Sequence, residues 1–198
     1  MGGRRSWVML AYRMPREPST PRIAVWRRLR QLGVAQPVDG LVLLPDEPHT
    51  REGLDWVAER VLAAGGHATQ WSAVHASAAE ENATVQAMNA AVTVEYAALT
   101  RQATAAAAGT STDVPLALST PEGTETVEGV EDVEDVEDVG QQRESLALPR
   151  AAARLGRALA QIQARDYFAA PGRAGAERAV LALAALAKAT KAPKEPAR

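Results

Sequence analysis

Residues 34–45 read Val-Ala-Gln-Pro-Val-Asp-Gly-Leu-Val-Leu-Leu-Pro. An Asp-Gly pair between two apolar runs is the strongest short-range signal for a β-hairpin. We therefore predict that residues 34–38 and 41–45 are adjacent antiparallel strands joined at Asp39-Gly40. A lone hairpin is barely stable in water, so the flanking sequence must supply the rest of a sheet.

The segments on both sides of the hairpin supply that sheet and two helices. Upstream, the apolar run 6–12 is typical of a buried strand, and residues 21–32 of a helix that starts at Thr20-Pro21 and ends at Gly33. Downstream, apolar spacing predicts a helix over 51–64 and alternation predicts a strand over 68–74. The order β-α-β-β-α-β is the ferredoxin-like, split βαβ plan, in which two helices cover one face of a four-stranded antiparallel sheet.

The rest of the chain is helical apart from one acidic stretch. That stretch contains Val-Glu-Asp three times in tandem over residues 130–138, a composition that predicts disorder. The apolar stripe of residues 85–99 needs a covering partner, and a homodimer would provide one. The sequence thus predicts an α+β protein with five parts: a ferredoxin-like domain over 5–76, a long helix over 77–108, a disordered acidic linker over 109–145, a helical hairpin over 146–190 and a frayed tail over 191–198.

Charge is distributed unevenly along the chain. The 198 residues include 22 Lys and Arg and 24 Asp and Glu, for a formal net charge of −2. Residues 113–138 hold ten of those acids and no Lys or Arg, so without them 14 acids face 22 bases, a net charge of +8. The chain is a basic body with an acidic insert, and the insert could compete with a polyanion for the basic residues.

Several classes of function lack the residues they need. The sequence has no cysteine, which excludes disulfides, thiol nucleophiles and thiolate metal sites. The three histidines, His49, His67 and His75, have no metal-ligand spacing, and no glycine-rich phosphate loop or catalytic constellation is present. No apolar run is long enough to span a bilayer. We therefore expect a soluble cytoplasmic protein that has no cofactor, no metal and no membrane partner, and that is not an enzyme.

Arginine is concentrated at the front of the chain. The first 30 residues contain eight arginines and a single acid, Glu17. Guanidinium groups bind phosphate oxygens in a bidentate manner, and nucleic acid is the natural polyanion. The predicted nucleic-acid-binding residues are Arg13, Arg16, Arg22, Arg27, Arg28 and Arg30. The alternative is a helix face that is merely solvated. Trp26 and Tyr12 are assigned to the core, with stacking on bases as their alternative role.

Two further interpretations concern smaller features. Arg13, Arg16 and the start of the first helix could together bind a small dianion through guanidinium groups and free backbone N–H donors, although most such helix ends bind only water. The turn Arg165-Asp166-Tyr167-Phe168 pairs opposite charges beside two aromatic rings, which indicates a salt bridge and a hydrophobic anchor.

The chain resembles the N-terminal domain of ChrB-type chromate-resistance proteins. The resemblance is strongest in two blocks, Trp7-Val-Met-Leu-Ala-Tyr-Arg-Met-Pro-Arg-Glu-Pro-Ser19 and Pro21-Arg-Ile-Ala-Val-Trp-Arg-Arg-Leu29, which are followed by Leu32-Gly33. It continues through shorter matches on both sides of the acidic insert: Asp39-Gly40, Leu44-Pro45, Thr50-Arg51-Glu52, Gly65-Gly66, Asn89, Glu95-Tyr96 and Arg165-Asp166-Tyr167-Phe168.

The resemblance implies a regulatory function. Members of that family are regarded as regulators of chromate-efflux operons, so it implies transcriptional regulation, DNA upstream of a chromate-efflux gene as the partner, and chromate as a second ligand. It favours the nucleic-acid interpretation of the arginine cluster. The alternative is a sensor of chromate or sulfate that does not bind DNA, or a protein-interaction module.

Overall fold

The computed structural model describes residues 4–110 and 136–191. Strands and helices alternate as expected in the first part of the chain, and three long helices follow. The bounds are β1 Trp7–Arg13, α1 Ser19–Leu32, β2 Ala35–Val38, β3 Leu41–Pro45, α2 Pro48–Ala63, β4 His67–Ala73, α3 Ala78–Ala107, α4 Val136–Gln163 and α5 Arg173–Lys191.

Within the described residues, four strands form one antiparallel sheet in the order β2-β3-β1-β4. Met9 of the central strand β1 pairs with Leu43 of β3 on one side and with Trp71 of β4 on the other. Strands β2 and β3 form the hairpin that Asp39-Gly40 predicts, with an irregular register in β2. This order, with a helix after β1 and another after β3, is the split β-α-β-β-α-β plan. The α+β fold with long helices after it is therefore confirmed.

One face of the sheet forms a continuous apolar core with the helices α1 and α2. Strand pairing places Val8 beside Leu44 and Leu10 beside Val42, and all four side chains are fully buried. Each such side chain contributes roughly 1.5–3 kcal/mol of transfer free energy on burial. The helices add the buried residues Val25, Leu29 and Leu32 from α1 and Leu54, Val57 and Val61 from α2.

The hairpin turn depends on glycine at position 40. Gly40 has a φ of 76°, in the left-handed region, and its carbonyl accepts a hydrogen bond of 2.7 Å from the Tyr12 backbone N–H. A Cβ built on Gly40 would lie 2.5 Å from the Tyr12 carbonyl oxygen, so the close approach to β1 leaves no room for a side chain.

Helix α2 begins at Pro48 rather than at residue 51, because a capping box forms just before the expected start. The Thr50 hydroxyl accepts a hydrogen bond from the Glu47 backbone N–H at 3.1 Å, and the Glu47 side chain accepts one from the Thr50 backbone. Thr50 also donates to the Pro45 carbonyl. Proline suits the first turn because it has no N–H to satisfy there.

A polar network closes the same end of the sheet. Asp46 accepts hydrogen bonds from the Ser6 hydroxyl at 2.9 Å and from the Arg51 guanidinium at 2.6 Å. The same guanidinium donates to the Ser72 hydroxyl at 2.8 Å. The Arg51 hydrogen bond, opposed in part by burial, lowers the pKa of the Asp46 carboxyl below its usual value. The network connects the residues next to β1 and β3, and Ser72 within β4, to helix α2.

A short segment from far along the chain, Ala164–Ala170, belongs to the same compact unit as the residues up to Val92. The Tyr167 hydroxyl donates a 2.7 Å hydrogen bond to the Leu32 carbonyl. The Phe168 ring lies 5.9 Å from that of Trp7, and the Arg5 guanidinium lies 4.5 Å from the Phe168 centroid. Burial, reinforced by the Glu47 charge, raises the pKa of Tyr167 to about 12. The expected hydrophobic anchor is present.

The second compact unit comprises Thr93–Gln163 and Pro171–Arg198. Its described part is helical: the C-terminal half of α3, then α4 and α5, which pack on each other. Its side-chain contacts include a 2.7 Å hydrogen bond from the Gln163 amide to Glu177. Its buried apolar side chains are Tyr96, Leu99, Ala103, Leu155, Ile162, Ala176, Val180, Leu183 and Ala187.

Two of the expected segments lie largely outside the described residues. Residues 111–135 of the acidic linker and 192–198 of the tail lie outside the described residues. Helix α4 begins at Val136, within the range assigned to the linker, rather than at residue 146. Glu and Gln are good helix formers, and residues 136–145 contain several of them. No helix in the described ranges is long and apolar enough to cross a membrane.

The basis for expecting a homodimer is weaker in the structure than in the sequence. Met88, Val92, Tyr96 and Leu99 of the apolar stripe on α3 are buried within the single chain. The stripe therefore does not need a second copy to cover it, and the homodimer stays a prediction.

Candidate nucleic-acid interface

Helix α1 has one apolar and one cationic face. Val25, Leu29 and Leu32 point into the core. At about 100° per residue, Ile23, Arg27 and Arg30 lie on the opposite side of the helix, and Arg22 and Trp26 lie on one flank of the buried stripe. All five of these side chains are exposed. We call this set the α1 outer face.

The α1 outer face combines charge with exposed apolar surface. Trp26 is 53% exposed and Ile23 is 47% exposed. The Arg30 guanidinium lies over the Trp26 ring, 5.0 Å from its centroid, a cation–π arrangement. Among the described residues, Arg22, Arg27 and Arg30 have no carboxylate partner within ion-pair distance, and the first turn of α1 contains no acid. The positive charge of this face is therefore not neutralised locally.

Arg13 and Arg16 lie just before the helix. Arg13 is the last residue of β1, paired in register with His67 of β4, and its side chain is exposed. Arg16 is exposed in the following loop, and its carbonyl accepts a 3.1 Å hydrogen bond from the Arg22 guanidinium. That contact fixes the loop to the first turn of α1, so Arg16 and Arg22 lie at the same end of the helix.

Arg28 differs from the other five predicted residues. It is half-buried, and its guanidinium lies 5.8 Å from the centroid of Trp56 on α2, a ring that Arg60 also contacts at 5.2 Å. Trp26, in contrast, is exposed, so the prediction that it belongs to the core is wrong. On the helical wheel both residues flank the buried stripe, one on each side, and α2 covers only the Arg28 side. Tyr12 is half-buried against the core, as expected.

The start of α1 differs slightly from the expected one. The helix begins at Ser19, with Pro18 in the N-cap position, rather than at Pro21 after a Thr20 cap. Pro18 has no side-chain oxygen, so no side chain caps the first backbone N–H groups. Binding of a small oxyanion by Arg13, Arg16 and this helix end stays a prediction.

The histidines have separate surroundings. His49 lies 3.4 Å from the Glu47 carboxylate and stacks on Tyr167 at 6.0 Å between ring centroids, whereas His75 meets the Trp7 ring edge-on at 5.1 Å. His67 is exposed on β4. Within the described ranges, no group of three or more His, Asp or Glu side chains could hold a metal ion.

The site residue that sequence reasoning missed is Ile23. Its position, one residue after Arg22 and four before Arg27, places it on the α1 outer face by the same helical angles that place the arginines there. One signal could have identified Ile23 as exposed. The buried stripe of α1 contains only three residues, so most of the circumference of the helix lies outside the core.

Comparison of the sequence with known protein families gives a match over the α1–α3 part of the chain. Residues 22–109 match the family described as Protein ChrB, N-terminal. Over this segment the chain is similar to the ChrB N-terminal family. The match begins at the first residue of the α1 outer face and ends just after α3, and it relates the protein to chromate resistance. No curated protein and no solved structure matches the chain.

Proposed function

We propose that the protein is a transcriptional regulator of chromate resistance that binds DNA phosphates through its arginine cluster, in the cytoplasm and without catalytic activity. The observation that supports this most is the α1 outer face, on which Arg22, Arg27 and Arg30 are exposed and have no ion-pair partner among the described residues. The match of residues 22–109 to the ChrB N-terminal family supplies the link to chromate. The DNA partner is the operator upstream of a chromate-efflux gene.

The arginines divide into two roles under this proposal. Arg13, Arg16, Arg22, Arg27 and Arg30 are exposed and available to phosphate oxygens. We assign Arg28 to positioning instead, because its guanidinium already lies over Trp56 and holds α1 against α2. Each phosphate neutralised releases condensed counterions, so the binding constant should fall steeply with salt, with a log–log slope of about −0.9 per phosphate contact on duplex DNA.

The test is a fluorescence-anisotropy titration of labelled duplex from upstream of the gene, repeated over a series of salt concentrations. We expect binding that is micromolar or tighter at low salt, and a slope that becomes shallower by about 1 for each of Arg22→Gln, Arg27→Gln and Arg30→Gln. Arg154→Gln, at an exposed arginine of α4, is the matched control and should leave the slope unchanged. Absence of binding at low salt refutes the proposal, as does an equal effect of the control variant.

A second candidate is direct sensing of chromate near the start of α1. The observation that favours it is the absence of a side-chain cap there, together with the Arg16–Arg22 contact that brings two guanidinium groups to that end. Calorimetry with chromate, and with sulfate for comparison, tests it. Saturable binding that is lost in Arg13→Gln and Arg16→Gln supports a sensor, and no heat of binding at millimolar chromate argues against it.

A further inference from the structure

Trp26 has an unusual position for a tryptophan. It lies in the middle of an amphipathic helix, on the solvent side, and more than half of its surface is exposed next to the exposed Ile23. A tryptophan side chain offers roughly 150–250 Å² of apolar surface, which is costly to leave in water. Trp26 is not among the side chains that pack against the core cluster, since it lies on the flank of the buried stripe that α2 does not cover.

The distance along α1 between the arginines on either side of Trp26 is similar to the width of the DNA major groove. Arg22 and Arg30 stand four residues before and four residues after it, so they are separated by roughly 12 Å along the helix axis. The major groove of B-DNA is about 12 Å wide and admits an α-helix. A helix lying across the groove can therefore bring the two ends of this segment, which carry Arg22 and Arg30, near the two phosphate backbones, with Trp26 and Ile23 between them.

We infer that α1 is a groove-binding helix in which Trp26 and Ile23 make the apolar contact with base edges, the thymine C5-methyl group above all. This inference rests on the proposed DNA binding and adds a sequence-dependent contact to it. The Arg30 guanidinium over one face of the Trp26 ring restricts the orientation of that ring and leaves its other face for DNA. An exposed helix face fits a duplex groove, whereas single strands are bound in concave channels or on sheets.

The first experiment compares two exposed tryptophans. Trp26→Ala should weaken binding to the upstream duplex by about tenfold or more and leave the salt slope unchanged, because an apolar contact releases no counterions. Trp71→Ala is the matched control, since Trp71 is 46% exposed but lies on β4. We expect it to change the dissociation constant by less than about twofold. Circular dichroism confirms that both variants fold.

The second experiment changes the DNA instead of the protein. Replacing every thymine of the duplex by uracil removes the C5-methyl groups and leaves phosphates and base pairing in place. Wild-type protein should lose affinity for the uracil duplex, and Trp26→Ala should bind the two duplexes equally. Because this comparison uses wild-type protein, it does not depend on the stability of a variant.

The outcomes separate the inference from the proposal beneath it. If wild-type protein binds duplex DNA with a steep salt slope but Trp26→Ala and the uracil duplex change nothing, the groove contact is refuted and phosphate binding stands. Tighter binding to the single strand than to the duplex also overturns the inference. If wild-type protein binds no DNA at low salt, the proposed function itself fails.

Discussion

Asp46 lies in the short connection between β3 and α2. Its carboxylate accepts hydrogen bonds from Ser6 and Arg51. Asp46→Asn keeps the shape and removes the charge. We expect the variant to lose on the order of 1 kcal/mol of unfolding free energy at neutral pH, because the partner Arg51 is itself half-exposed.

The pH dependence of that loss follows from the direction of the shift. The pKa of Asp46 is lowered in the folded protein, so its stabilising contribution is present above the unfolded value of 3.8 and disappears as the pH falls through the folded value. Urea denaturation of both proteins at about pH 7 and about pH 3 measures it, and the difference between them should shrink at the acidic pH. Asp55→Asn, at an exposed acid of α2, should behave like wild type at both. A difference that grows on acidification contradicts the prediction.

Trp26 and Arg28 show which property of the candidate site could not be predicted from the sequence, namely which flank of α1 is covered by the rest of the protein. Helical angles identify the buried stripe centred on Val25 and Leu29, but they leave the residues on both flanks undecided. Which flank is covered depends on the position of α2, and α2 contributes Trp56 to the Arg28 side. The exposed arginines could be predicted from sequence, whereas the exposure of Trp26 and the partial burial of Arg28 required the tertiary structure.

At the scale of elements, the anchoring segment 164–170 depends on glycine at the end of α1. Gly33 and Gly65 both have positive φ values, 65° and 75°. A Cβ on Gly33 would lie 2.8 Å from the Cβ of the buried Arg165, whereas one on Gly65 would meet nothing within 4 Å. The two positions thus share a backbone conformation and differ in their surroundings.

We therefore expect unequal effects from the same substitution. Gly65→Ala should cost about 1 kcal/mol of unfolding free energy, from backbone strain alone. Gly33→Ala should cost about 1–3 kcal/mol more, because the segment that carries Arg165, Tyr167 and Phe168 must move away from α1. Urea denaturation measures both. Equal losses in the two variants would show that the contact between Gly33 and Arg165 does not hold the segment in place.

Elements differ in how far the sequence specifies them. The Asp39-Gly40 turn and the apolar spacing predict the strands and helices of the sheet domain, because each is a local signal. The Glu47–Thr50 capping box is also local, and it accounts for the earlier start of α2. The anchor is different: Tyr167 bonds to Leu32 across 135 positions of the chain, and no periodicity or turn signal specifies a partner at that distance. The sequence predicts an anchor there but not its partner.

For the whole molecule, the decisive quantity is the distribution of charge. Residues 113–135 contain eight acidic residues and no Lys or Arg, so removing them leaves 16 acids against 22 bases, a net charge of +6 instead of −2. The summed charge of a protein affects both the rate at which it associates with a polyanion and the affinity of the complex. We predict that deleting residues 113–135 tightens binding to duplex DNA on the order of tenfold at low salt.

Salt and a length-matched control distinguish a charge effect from a change in chain length. The Debye length falls from about 10 Å at 0.1 M salt to about 3 Å at 1 M, so the gain from the deletion should diminish progressively as salt is added. A second variant keeps the segment at full length and replaces its eight acids with Asn and Gln. If it binds as tightly as the deletion variant, charge is the cause. If it binds like wild type at low salt, the acidic segment does not weaken DNA binding through its charge, and the prediction is wrong.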